Sequence, residues 1–145
     1  MPFKPVRLLL AFDDTGGLCG AVVPRLKEML EQRAFEVDLV ALGDDLPDLE
    51  PYKGVVLGAP VPGAGVRRVG PGDRVERFLR EAPWLEEKKL AIFTVYSALP
   101  GKTLDRMAEL AAERGVEVVA QHPYWRLRPA DGEHIVPAEC MVRIR

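Results

Sequence analysis

Apolar and polar positions along this chain change period several times, and the changes mark out its elements. From Val6 to Phe12 the run Val-Arg-Leu-Leu-Leu-Ala-Phe is nearly all apolar and breaks at Asp13-Asp14-Thr15-Gly16-Gly17, the pattern of a buried strand entering a turn. Leu26, Met29 and Leu30, preceded by Val22 and Val23, then repeat at helical spacing between Arg25, Lys27, Glu28 and Glu31, which predicts a first helix. Pro24 costs ~3 kcal/mol inside a helix and is tolerated only in its first turn, so the loop before this helix is long. Glu36 to Leu42 alternates as a second strand and stops at Gly43-Asp44-Asp45, and Pro47 and Pro51 leave room for a turn of helix at most after it.

Gly54-Val55-Val56-Leu57-Gly58-Ala59 is a continuous apolar run bounded by turn residues, as expected of a strand buried on both faces. Pro60 to Gly65 reads as a loop. Asp73 and Glu76 resemble a capping box ahead of Val75, Phe78, Leu79 and Ala82, so a helix starts near Asp73 and stops before Pro83. Lys89 to Val95 is a fourth strand, Leu104, Met107, Ala108 and Ala111 mark a helix that Gly115 ends, and Val116 to Ala120 is a fifth strand. Strands that alternate with helices imply a parallel sheet, right-handed crossovers and helices on both faces. The domain is expected to span residues 1–121. Residues 122–145 read as a hairpin-like extension, because Trp125 and Leu127 alternate with Arg126 and Arg128, Asp131-Gly132 is a turn signal, and Val142 and Ile144 alternate with Arg143 and Arg145. Its apolar side chains must be covered, by the domain itself or by a second copy, with a homodimer the favoured expectation.

Composition narrows the classes. A length of 145 residues is one domain's worth, and a net charge of −2 argues against a general nucleic-acid binder. Cys19 and Cys140 stand apart without CxxC spacing, which suggests reduced thiols and a cytoplasmic protein. No apolar run reaches the ~18 residues of a membrane span, and the N-terminus lacks a signal-peptide pattern. No membrane or nucleic-acid partner is expected.

The loop after the first strand is the default ligand site, because free N–H groups at a helix start converge on one point and favour an anion. Asp13 and Asp14 at its mouth oppose that anion. Thr15-x-Gly17-x-x-Gly20 half-matches a dinucleotide fingerprint with Asp44 or Asp45 as a ribose acid, but its first glycine is missing. Asp13-Asp14 also resembles the acidic pair of receiver domains, yet Gly58-Ala59-Pro60 stands where a phosphoacceptor aspartate belongs. Gly101-Lys102-Thr103 matches only the end of a phosphate-binding Walker loop and reads as a helix start. His122, His134 and Cys140 lack the spacing of metal ligands. Cys19 reads as a small buried hydrophobe, and no nucleophile stands with a base, so no catalytic residue is assigned.

The order of the elements and their loops together resemble the flavodoxin-like family over roughly residues 5 to 121: the first strand followed by Thr15-Gly16, the run Gly54 to Pro60 as the third strand and its loop, Lys89 to Val95 as the fourth, and Pro100-Gly-Lys-Thr-Leu104 opening a helix. The resemblance implies an α/β three-layer sandwich, its five-stranded parallel sheet ordered 2-1-3-4-5, with flavin mononucleotide (FMN) at the switch point beside strands one and three. It implies that Thr15, Gly16, Gly17, Leu18 and Cys19, with Asp14 beside them, hold the phosphate. Ala59, Pro60, Val61, Pro62 and Gly63 would flank the ring on one side, and Thr94, Val95, Tyr96 and Ser97 on the other. A small redox protein passing electrons or hydride to a partner protein follows from it. The different-class alternative is a module that keeps the fold without the flavin and uses the cleft or the C-terminal extension for a partner.

This chain departs from the family's loop pattern of hydroxyl, any, Thr, Gly, Asn, Thr, where it has Asp13, Asp14, Thr15, Gly16, Gly17 and Leu18. A carboxylate ~5 Å from a phosphate costs ~3 kcal/mol per charge pair at an effective dielectric near 20, against about 0.3–1 kcal/mol returned by a helix N-terminus. Unless Asp13 turns away, phosphate binding is weakened. Pro60 and Pro62 lack N–H groups, and Tyr96 is the only aromatic in the ring-flanking loops, where the family often offers two.

Overall fold

The computed structural model describes residues 6–61, 71–99 and 101–126. Strands β1 (Val6–Phe12), β2 (Phe35–Ala41), β3 (Gly54–Val61), β4 (Lys89–Tyr96) and β5 (Val118–Trp125) pair in parallel in the order β2-β1-β3-β4-β5. The expected architecture and strand order are both present. Helix α1 (Val23–Gln32) covers one face, where Leu26 and Leu30 pack with Leu8, Leu10, Val56 and Phe93. Helices α2 (Asp73–Glu81) and α3 (Thr103–Glu113) cover the other, where Val75, Phe78, Met107 and Leu110 meet Leu9, Val55, Leu57 and Ile92. The central strand β3 is buried along its whole length, which is why it carries no polar side chain.

Several boundaries differ from the sequence reading, each for a physical reason. Pro24 does lie in the first turn of α1, and the chain before it winds through two short 3-10 turns, Thr15–Gly17 and Cys19–Ala21. Pro60 and Val61, expected in a loop, continue β3 in register with Val95 and Tyr96. Pro60 is tolerated because its missing N–H would face β1, which has already ended at Phe12. No capping box forms at α2: Gly72 is the cap residue, Asp73 is already helical, and Glu76 pairs with Arg80 at 2.8 Å. Val116 belongs to the turn that closes α3, where Gly115 takes φ 75°, its N–H donates to Ala112, and the N–H of Val116 donates to Ala111 at 2.9 Å.

Strand β5 runs on to Trp125, so the boundary expected after Gln121 falls inside the sheet and His122 to Trp125 pair in parallel with β4. The remainder of the expected extension, with the Asp131-Gly132 turn and the dimer contact built on it, lies outside the described residues. No helix among the described residues is long and apolar enough to cross a membrane.

Candidate functional site

Strands β1, β3 and β4 end along one edge of the sheet, on either side of the point where strand order reverses between β1 and β3. Here the crossovers from neighbouring strands part to opposite faces and leave a crevice. Asp13 is the first residue beyond β1. It is buried, its N–H donates to the carbonyl of Gly58 at 3.0 Å, and its Oδ1 accepts from the N–H of Thr15 at 3.0 Å and from the Thr15 hydroxyl at 2.6 Å. This is a tight Asx turn. Arg74, in the first turn of α2, brings Nη1 to 3.9 Å from the same oxygen. The other carboxyl oxygen faces Gly72, where an added Cβ would stand 3.7 Å from it.

Asp14 is exposed, and its Oδ1 lies over Gly20, 3.1 Å from where a Cβ would be. Gly16 and Gly17 both take positive φ, 75° and 74°, which allows the chain to fold back within one turn. Leu18 is half-buried, and Cys19 is wholly buried against α1 and β1. Its thiol is held far above the ordinary range, first by burial and then by the charges of Asp13 and Asp14. It is inert at neutral pH. The candidate phosphate residues Asp14 to Cys19 therefore do gather at the end of β1, but the donors of Thr15 are already engaged by Asp13.

On the other side of the crevice, Ala59, Pro60, Val61, Thr94 and Val95 are buried in the sheet, and Tyr96 and Ser97 are half-buried at its rim. The N–H of Ser97 donates to Val61 at 3.3 Å and so ties the ends of β3 and β4 together. Thr94 Oγ1 is fully buried without a hydrogen-bond partner among the described residues. Pro62 and Gly63 lie outside the described residues.

The sequence reading missed Trp125. A bulge opposite Leu90 and Ala91 takes β5 one residue out of step, so that Val95 pairs with Tyr124 and Tyr96 with Trp125. Tyr124 thereby enters the core beside Phe93, their rings edge to face at 6.1 Å, while Trp125 remains 38% exposed next to Tyr96. The N–H of Arg126 closes this corner on the carbonyl of Tyr96 at 3.0 Å. The second aromatic near the loops expected to flank a ring thus comes from β5.

No protein-family model matches this sequence, and no curated protein matches it in sequence. Solved structures do match the fold. The two-electron reduced flavodoxin of Megasphaera elsdenii superposes with a TM-score of 0.73 at 19% identity, over 88% of this chain and 92% of that one. The Fusobacterium nucleatum flavodoxin bound to flavin mononucleotide gives 0.57 at 12% identity, over 81% and 70%. The rubredoxin:oxygen oxidoreductase of Desulfovibrio gigas gives 0.70 at 13% identity, with 97% of this chain lying on 38% of that one. At these identities the likeness establishes the fold, which is flavodoxin-like.

The two ends of a flavin fare differently against this site. Half-buried Tyr96 and exposed Trp125 stand in register at the ends of β4 and β5, and aromatic side chains of this kind suit a planar ring. A phosphate does not fit the loop as it stands, because a buried carboxyl group already accepts the hydrogen bonds of Thr15.

Proposed function

We propose that this chain of flavodoxin-like fold is a small flavin-dependent redox protein, holding flavin mononucleotide or the same ring without its phosphate at the carboxyl ends of β1, β3 and β4. The observation that carries the reading is the meeting of the 13–20 loop, the β3 end at Val61 and the β4 end at Tyr96 at the strand-order reversal of a fold shared with flavodoxins. The flavin, when bound, supplies the electron or hydride chemistry. The chain's own residues orient the ring at Tyr96 and Trp125 and set the charge around it. Asp13, Asp14, Asp44 and Asp45 all follow the carboxyl ends of β1 and β2, and their charge opposes a reduced, anionic flavin and lowers its potential. A redox partner protein would dock at the same edge.

Purification under mild conditions, followed by visible absorbance and titration of the colourless protein with flavin mononucleotide and riboflavin, tests the reading. A yellow protein or saturable binding supports it. Failure to bind either flavin at high micromolar concentration overturns it in favour of a second reading, a flavin-free binding module of the same fold, which the self-satisfied turn at Asp13 and Thr15 favours.

A further inference from the structure

A strand that passes through glycines into a helix offers its N–H groups to an outside anion, and here the chain supplies an anion of its own. Asp13 Oδ1 takes both the N–H and the hydroxyl of Thr15, at 3.0 and 2.6 Å. The group is 6% exposed, its backbone is pinned to Gly58, and its second oxygen faces Gly72. Swinging it clear would break two hydrogen bonds and leave the donors of Thr15 to be satisfied anew. Asp14, folded over Gly20, adds a second carboxyl group on the open side of the same loop. Arg74 is the one cation found within ion-pair distance of Asp13 among the described residues, at 3.9 Å with its side chain half in solvent.

We infer that Asp13 is a specificity residue: a built-in anion that makes the site accept a flavin through its ring and ribityl chain and disfavour a terminal phosphate, so that riboflavin binds more tightly than flavin mononucleotide. This deepens the proposed function and rests on it. Strand β3 lies between Asp13 and Tyr96, and β3 and β4 lie between Asp13 and Trp125, so the two recognition elements act on opposite ends of the ligand. Among oxidised flavins, whose ring is neutral, the charge of Asp13 bears on the phosphorylated form.

The 145-residue chain, stripped of any co-purified flavin, is titrated with riboflavin and with flavin mononucleotide by flavin fluorescence at low and at physiological salt. Riboflavin should bind about tenfold more tightly, the factor that 1.4 kcal/mol commands. The gap should narrow as salt screens the repulsion. Asp13→Asn should close it. Arg74→Gln, a surface change that keeps the test open if Asp13→Asn fails to fold, should widen it. Flavin mononucleotide binding as tightly as riboflavin or more so, with Arg74→Gln leaving the ratio alone, overturns this inference while the proposed function stands. Binding of neither flavin overturns both.

Discussion

The ring of Phe93 lies across the face of Gly58, in the space a side chain would need: a Cβ built on Gly58 would come 2.1 Å from Phe93 Cζ. The two residues are register partners on β4 and β3, and Phe93 is wholly buried and set edge to face against Tyr124. Gly58 also supplies the carbonyl that holds the N–H of Asp13, so this contact sits directly beneath the candidate site. Gly58→Ala should destabilise the protein by about 1–3 kcal/mol through overpacking. Denaturant unfolding would measure it, and Phe93→Leu in the same chain should recover part of the loss, a coupling that only neighbours show.

Burial and the carboxyl groups beside it keep the Cys19 thiol protonated in the native protein well beyond its ordinary value of 9.0. The unfolded chain ionises above that value and the folded chain does not, so the unfolded state binds fewer protons and stability falls as pH rises. The contribution is whole below pH 9.0 and declines above it by up to about 1.4 kcal/mol per pH unit. Cys19→Ala should remove this part of the alkaline slope, measured by unfolding from pH 8 to 11. The native thiol should resist alkylation until the protein unfolds.

Arg114 follows α3 and reaches across to the end of α2, donating to the carbonyls of Leu79, at 3.3 Å, and Ala82, and pairing with Glu86 at 2.6 Å. It thereby satisfies helix-end carbonyls that have no partner within α2. Arg114→Ala should cost about 1.5–3 kcal/mol, and Arg114→Lys should restore little, because a single ammonium cannot span the fork of contacts. Glu86→Gln removes only an exposed partner and should cost the least of the three. Thermal melting of the three variants gives the ranking.

Ala34, in the turn between α1 and β2, is held at φ 68° with its N–H on the carbonyl of Glu31 at 3.0 Å. Left-handed backbone costs an alanine about 1–2 kcal/mol. Ala34→Gly should therefore stabilise by about 1 kcal/mol, less the extra entropy glycine loses on folding, and raise Tm by roughly 2–4 °C. An unchanged or lower Tm would show that the turn relaxes in solution.

The chain's two tryptophans stand at opposite ends of the sheet. Trp125 closes β5 beside Tyr96, while Trp84 precedes β4 at the other edge and is 52% exposed. If a flavin ring sits against Tyr96, Trp125 should be the fluorophore it quenches. Trp84→Phe should leave flavin quenching intact, and Trp125→Phe should abolish it and weaken binding by about 1 kcal/mol of lost aromatic contact. Quenching that survives Trp125→Phe would place the ring elsewhere.

The strands and helices were legible because their signals are local, whereas the order of the strands in the sheet came from the family resemblance. The unbroken apolar run of Gly54 to Ala59 marks a strand buried on both faces, and the helical repeat at Leu26, Met29 and Leu30 marks the crossover that follows β1; both lie where periodicity places them. Boundaries that depend on a neighbour were not legible. Pro60 reads as a loop residue, and only the early end of β1 makes its missing N–H harmless within β3.

The candidate site divides in the same way. From composition alone the loop after β1 declares its glycines, its hydroxyl and its two opposing carboxyl groups. Which way Asp13 turns was open, since the short side chain can reach its own loop or leave it, and burial between Gly58 and Gly72 decides the matter. Tyr124 and Trp125 are adjacent aromatics of equal promise in the sequence. A one-residue bulge sends the first to the core and the second to the rim, because side chains in a strand alternate faces and a single step of register exchanges them. Periodicity belongs to one segment, whereas register belongs to two strands at once, so only the tertiary structure decides which aromatic is buried and which stays at the rim.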